Sequence, residues 1–221
     1  FGETFRDYRK QLELSKEDFI YLDELCQKLK IKWFASALDK VSYQFLINTN
    51  CYAIKLPSTI SEHKDYLSYV SSSCQKPIVI STGMTDINYE NWIIQQFSKC
   101  NKLYLLQCSS AYPTPSEACN IAVVRHYDEL SKRYNNIIPG YSSHDNGWFG
   151  SSLAVAAGAK MIEKHVKMGI TEWAHFDAVA LDLSTDSFFN YVKKIREAEI
   201  IMGDSMKQIN NFENHKYKWR S

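Results

Sequence analysis

"WFASALD", residues 33–39, is an apolar, aromatic run that closes on small and polar residues and contains no glycine. Five runs of the same kind follow: "YAIKLP" (52–57), "PIVISTG" (77–83), "KLYLLQCS" (102–109), "IIPGYSSH" (137–144) and "MIEKHV" (161–166). With the first run extended to 31–38, their starts lie 21 to 35 residues apart. That spacing fits a strand, a crossover helix and a parallel strand; hairpin loops are much shorter.

The intervening segments carry helix signals. Ser15-Lys16-Glu17-Asp18 matches a capping box, and Leu22, Leu25, Cys26 and Leu29 recur at helical spacing, which predicts one buried face. "NYENWIIQQFSKC" (88–100) and "SLAVAAGA" (152–159) read as further crossover helices, and "STDSFFNYVKKIREAEIIMG" (184–203) as a long terminal helix closing at Gly203. Six such units suit either a doubly wound open sheet or most of a (β/α)8 barrel. A nucleotide-binding open sheet usually has a glycine-rich turn after its first strand, and "WFASALD" has none. The expected fold is therefore α/β, a (β/α)8 TIM barrel, here a partial barrel of about six units with two strands expected upstream. Residues 1–203 are assigned to this barrel portion, and the polar, basic stretch 204–221 to a segment approaching a further C-terminal domain.

The bulk properties agree with one globular core: 221 residues, 45% hydrophobic and 23% charged. With 26 Lys+Arg against 25 Asp+Glu, no net charge draws the chain to nucleic acid or to an anionic membrane. No apolar run reaches the ~18 residues of a membrane span, and the first residues contain no apolar signal region. The six scattered cysteines, without a C-x-x-C, read as free thiols of a reducing cytoplasm.

Polar residues gather at the carboxyl ends of the runs: Ser36, Lys55 with Ser58, Ser81 with Thr82, Ser109 with Ser110, Ser142 with His144, and Glu163 with His165. This is the end at which barrels and open parallel sheets build their sites. Strand alternation puts Ser142 and His144 on one face, and Glu163 and His165 on one face of the next strand. The two imidazoles can converge on an open divalent site suited to Mn2+ or Mg2+; the competing reading is that His165 hydrogen-bonds locally and His144 lies outside. Lys55, inside an apolar strand, must either snorkel out or meet an anion. Tyr112 precedes Pro113 in a rigid turn that either holds an aromatic hydroxyl over the site or is simply structural. "EWAHFD" (172–177) offers His175 and Asp177 in a loop that is either lid or surface. His63, His126 and His215 lie in polar stretches and read as ordinary residues.

Taken together, "KWFASALD", "YAIKLPS", "PIVISTGM", "QCSSAYPTP", "GYSSHDNG", "GAKMIEKHV" and "FFNYVKKIREAEIIMG" resemble, in order and spacing, the sialic acid synthase (N-acetylneuraminate synthase) family over about residues 10 to 203. The resemblance implies a cytoplasmic transferase that condenses phosphoenolpyruvate with an N-acylated amino sugar such as N-acetylmannosamine. Its products would be a nine-carbon 2-keto acid and phosphate. It also implies a homodimer whose C-terminal antifreeze-like domain reaches the partner's site. By matching motifs, His144 and His165 would be metal ligands, for Mn2+ ahead of Mg2+ or Co2+. Lys55, Ser36, Ser58, Ser81, Ser110 and Ser142 would hold phosphoenolpyruvate, Tyr112 and Asp177 would face the sugar, and Lys55 and Tyr112 would carry catalysis.

The chain departs from the pattern at several points. Ser143 stands where the family has Asp before the first metal histidine, Ala35-Ser36-Ala37 replaces Ser-Thr-Pro, and Ser110 takes the place of a frequent Asn. Ala174-His175-Phe176-Asp177 replaces Gly-Pro-Asp-His. The family's first two barrel strands, which bring an acid and a second phosphate-binding lysine, and its antifreeze-like domain have no counterpart in these residues. Two alternatives stay open: a legionaminic or pseudaminic acid synthase acting on a diacetamido sugar, and a non-catalytic barrel fragment that binds anions and metal.

Overall fold

All six apolar runs become strands of one parallel sheet in a computed structural model that describes residues 3–169, 177–209 and 212–213. They are β1 (Phe34–Ser36), β2 (Ala53–Leu56), β3 (Ile78–Ser81), β4 (Leu103–Cys108), β5 (Ile137–Ser143) and β6 (Met161–Lys164), adjacent in chain order. The helices are α1 (Phe5–Leu12), α2 (Lys16–Leu29), α3 (Lys40–Ile47), α4 (Lys64–Ser72), α5 (Ile87–Gln96), α6 (Ala122–Ser131), α7 (Phe149–Ala156) and α8 (Ser187–Met202). Short strands β7 (Val166–Lys167) and β8 (Leu181–Asp182) pair in parallel just beyond β6.

The sheet curls. Four strand spacings separate β2 from β6, about 19 Å in a flat sheet, yet Lys55 on β2 and Glu163 on β6 form a direct ion pair at 2.6 Å. This curled half-barrel with alternating helices is the expected partial (β/α)8 barrel.

Alternation divides the strand side chains between two cores. Ile54, Leu56, Ile78, Ile80, Leu103 and Leu105 face outward and pack with Tyr43, Leu67, Ile93 and Phe97 of the helical layer. Ala53, Val79, Tyr104 and Leu106 face inward, join Phe34, Ile138 and Met161, and fill the barrel floor. Helix starts follow their sequence signals: Ser15 and Asp18 form the reciprocal capping box of α2, and Asp86 caps α5 through the amides of Asn88 and Tyr89.

Three expectations need correction. The first strand is only three residues long, and among the described residues β1 pairs only with β2. The apolar stripe of α2 is not buried: no residue of that helix is fully covered, and Leu29 is 56% exposed. The helix precedes the edge strand, so it meets the core on one flank, through Phe19 against Trp33 and Phe45. The cysteines are not all free thiols, since Cys74 and Cys100 are joined, while Cys26, Cys51, Cys108 and Cys119 are free. The pair sits just past the ends of α4 and α5, neighbouring helices whose termini bring the two Cα atoms to 5.6 Å. Among the described residues, no helix is long and apolar enough to cross a membrane.

Candidate active site

The inward positions that end each strand line one cavity of about 340 Å3: Ser36, Lys55, Ser81, Cys108, Ser142 and Glu163, with His144 and His165 just beyond. Parallel register sets neighbours along this cavity, with Ser36 beside Lys55, and Cys108 beside Ser142, itself beside Glu163. The apolar floor below forces polar groups to this mouth, where an unpaired charge would otherwise be costly.

Lys55 meets an anion from within the chain. Its ammonium, 5% exposed as a residue, donates to both carboxylate oxygens of Glu163 at 2.7 and 2.6 Å and to Ser81 Oγ at 2.7 Å. Ser142 Oγ donates to Glu163 Oε1 at 2.7 Å. Burial pushes the Glu163 carboxyl up, but the charge and hydrogen bonds of Lys55 and the Ser142 hydroxyl outweigh it and hold the group below its usual range. Lysine and hydroxyls are thus already aimed at one carboxylate-sized point.

A second hydroxyl pair lies alongside. Ser58, buried at the first turn after β2, is 3.1 Å from Ser110 Oγ. Gly83 makes this approach possible, because a Cβ there would lie 2.4 Å from Ser110 Oγ and 3.2 Å from Ser58 Cβ. Ser110 itself lines an adjoining cleft, between the β3 and β4 loops, that also touches Cys108.

His144 is held by its backbone-facing nitrogen. Nδ1 lies 2.8 Å from the Ser109 carbonyl oxygen, which can only accept, so Nδ1 carries the proton and Nε2 keeps its lone pair. Burial lowers the pKa of this ring and favours its neutral form. The His165 ring centroid is 5.2 Å away, and Tyr112 packs over both imidazoles, at 4.1 Å from His144 and 5.7 Å from His165. Two neutral-capable imidazoles, one fixed through a carbonyl, fit the donor set of an open divalent site. No group of three or more His, Cys, Asp or Glu among the described residues could hold an ion.

The fold therefore brings together Ser36, Lys55, Ser58, Ser81, Tyr112, Ser142, His144 and His165, with Ser110 on the rim. Asp177 begins a short 3-10 turn, but its side chain, like His175, lies outside the described residues. His126 is bound to Glu90 at 2.7 Å, away from the cavity. Sequence reading noticed Glu163 on the face of His165 without giving it a role; a lysine buried in an apolar strand was the signal that it needed such a partner. Asp145, directly after His144, and Lys164 receive no role from the sequence, because their partners lie on neighbouring strand positions that only the fold brings together. Lys164 donates to Ser143 Oγ and to the Asp145 carbonyl, while Asp145 accepts from Tyr141 and Ser143.

Known proteins resemble this chain in sequence and fold. The chain is 30% identical to N-acetylneuraminate-9-phosphate synthase of Mus musculus over 95% of its length and 57% of the relative's. It is 31% identical to N,N'-diacetyllegionaminic acid synthase of Legionella pneumophila, over 94% of this chain and 58% of that one. It thus spans a little over half the length of these relatives. Among solved structures, the N-acetylneuraminic acid (sialic acid) synthetase of Leptospira borgpetersenii superposes with a TM-score of 0.81 at 24% identity, covering 96% of this chain and 73% of that one. That likeness bears on the fold. The sequence pattern of the NeuB family matches residues 2–207, which include all six strands of the curled sheet and its strand-end cavity, and the chain belongs to that family.

Proposed function

We propose that this chain carries the catalytic barrel of an enzyme that condenses phosphoenolpyruvate with an N-acylated amino sugar, forming a sialic-acid-like 2-keto acid and releasing phosphate. The observation that carries the reading is one cavity holding a buried lysine, convergent hydroxyls and two facing imidazoles. Lys55 and Ser142, which donate to Glu163 in this structure, would turn with the Ser81 hydroxyl to an anionic partner, and the Ser58–Ser110 pair lies beside them. Fixed donors of this kind orient the enol and stabilise charge as C3 attacks the sugar's aldehyde carbon. Water then adds at C2, the bond from C2 to the phosphate oxygen breaks, and phosphate leaves. Tyr112, stacked on His144, offers an apolar face and a hydroxyl to the sugar. Burial raises its pKa, so the hydroxyl stays protonated as a donor.

His144 and His165 would hold a divalent ion, Mn2+ ahead of Mg2+ or Co2+, which when bound supplies Lewis-acid polarisation of the aldehyde. The relatives named for neuraminic and legionaminic acids match about equally well, so both N-acetylmannosamine and a diacetamido sugar are candidate acceptors. A soluble homodimer completes the proposal. The test is phosphate release by an intact version of the protein, offered phosphoenolpyruvate and a panel of amino sugars with and without Mn2+. Release that needs both sugar and metal supports the reading, and absence of release with every sugar refutes it.

A further inference from the structure

Site residues and their neighbours alternate across the sheet. On β5 and just beyond it, Ser142 and His144 face the cavity while Ser143 and Asp145 lie behind it; on β6 and just beyond it, Glu163 and His165 face the cavity, and Lys164, which also borders it, sends its ammonium behind the sheet to Ser143 and Asp145. The rear residues are interlocked. Lys164, in register beside Ser143, donates to Ser143 Oγ at 3.0 Å and to the Asp145 carbonyl. Asp145 Oδ1 accepts from Ser143 Oγ at 2.7 Å and from Tyr141 OH at 2.8 Å. Its other oxygen sits over the first turn of α7, where a Cβ on Gly150 would lie 2.5 Å from it, so glycine leaves room for the carboxylate at a helix N-terminus. Ser143 and Asp145 are 0% and 7% exposed.

We propose that Asp145, Ser143 and Lys164 form a positioning clamp behind the sheet that fixes the spacing and ring orientation of His144 and His165. Each histidine is a chain neighbour of a clamp residue, so rotating either strand end requires breaking the clamp's bonds, and at His144 such a rotation also carries Nδ1 off the Ser109 carbonyl that sets its tautomer. Asp145 also supplies, from the position after His144, the acid that family resemblance leads one to expect at 143. The two side chains meet at 2.7 Å, so a carboxylate could reach the same point from either position. The clamp rests on the metal reading of the two histidines only in part, because ring orientation can be measured without an ion.

The test uses the full chain and three proteins: wild type, Asp145→Ser, and the swap Ser143→Asp/Asp145→Ser. Long-range 1H–15N spectra report the His144 tautomer, and paramagnetic resonance titration with Mn2+ alone reports affinity. Asp145→Ser is expected to mix the tautomers and weaken Mn2+ binding about 10-fold or more, with the swap restoring both. The clamp is overturned if Asp145→Ser leaves the tautomer unchanged, or if the swap is as impaired as the single variant. Should Asp145→Ser fail to fold, the swap decides alone: a wild-type tautomer supports the clamp and a mixed one overturns it. If the swap also fails to fold, a carboxylate at 143 does not replace Asp145 and the clamp as stated is overturned. A wild type that binds no Mn2+ refutes the metal reading, while the tautomer result still judges the clamp.

Discussion

Replacing Lys55 with Met tests the centre of the cavity. Removing one partner of a buried ion pair costs about 3–5 kcal/mol, because the other charge is left uncompensated. Here Lys55 is deeply buried, but the Glu163 side chain keeps 32% of its exposure, so water screens part of the loss and about 2 kcal/mol is expected. In a chain of this length that lowers Tm by about 4–8 °C. The double variant Lys55→Met/Glu163→Gln removes both charges and should return to within about 1 kcal/mol of wild type. The sign of the pH effect follows from Glu163. Its folded pKa lies below the ordinary value of 4.5, so its stabilisation is complete above that value and is lost as pH falls through the folded pKa. Urea denaturation at pH 7 and pH 3 should therefore show a gap between wild type and Lys55→Met that closes in acid. Equal stabilities at pH 7, or a double variant as unstable as the single one, would show that the pair does not hold the cavity as described.

Gly83→Ala forces Ser110 Oγ away from Ser58; we expect a loss of about 1 kcal/mol in urea unfolding and weaker phosphoenolpyruvate binding by calorimetry, and unchanged binding would remove this hydroxyl pair from the anion site. His144→Ala and His165→Ala should each abolish Mn2+ binding in a resonance titration while circular dichroism stays native; wild-type affinity in either would end the metal assignment. Wild-type stability should fall on acidification from pH 5 to 3 more steeply than that of Glu163→Gln, and parallel profiles would mean that Glu163 is not the group being titrated.

Much of the architecture is a local property of the chain. The period-2 alternation within each apolar run sets which residues face the barrel interior, and run spacing sets parallel order, so Ser36, Lys55, Ser81, Ser142, Glu163 and His165 could be placed at strand ends from sequence alone. Tertiary structure decided what those residues meet. Lys55 finds Glu163 108 residues away only because the sheet curls, and the apolar stripe of α2 is only partly covered, through the flank that carries Phe19. Cys74 joins Cys100 because two helix ends converge. Asp145 and Lys164 show the same division: the family resemblance marks Ser143 as standing where an acid is expected, and only the packing of β5, β6 and α7 brings another carboxylate to that point. Alternation is written in covalent geometry, whereas partners across a barrel are chosen by curvature and burial, which no single segment contains.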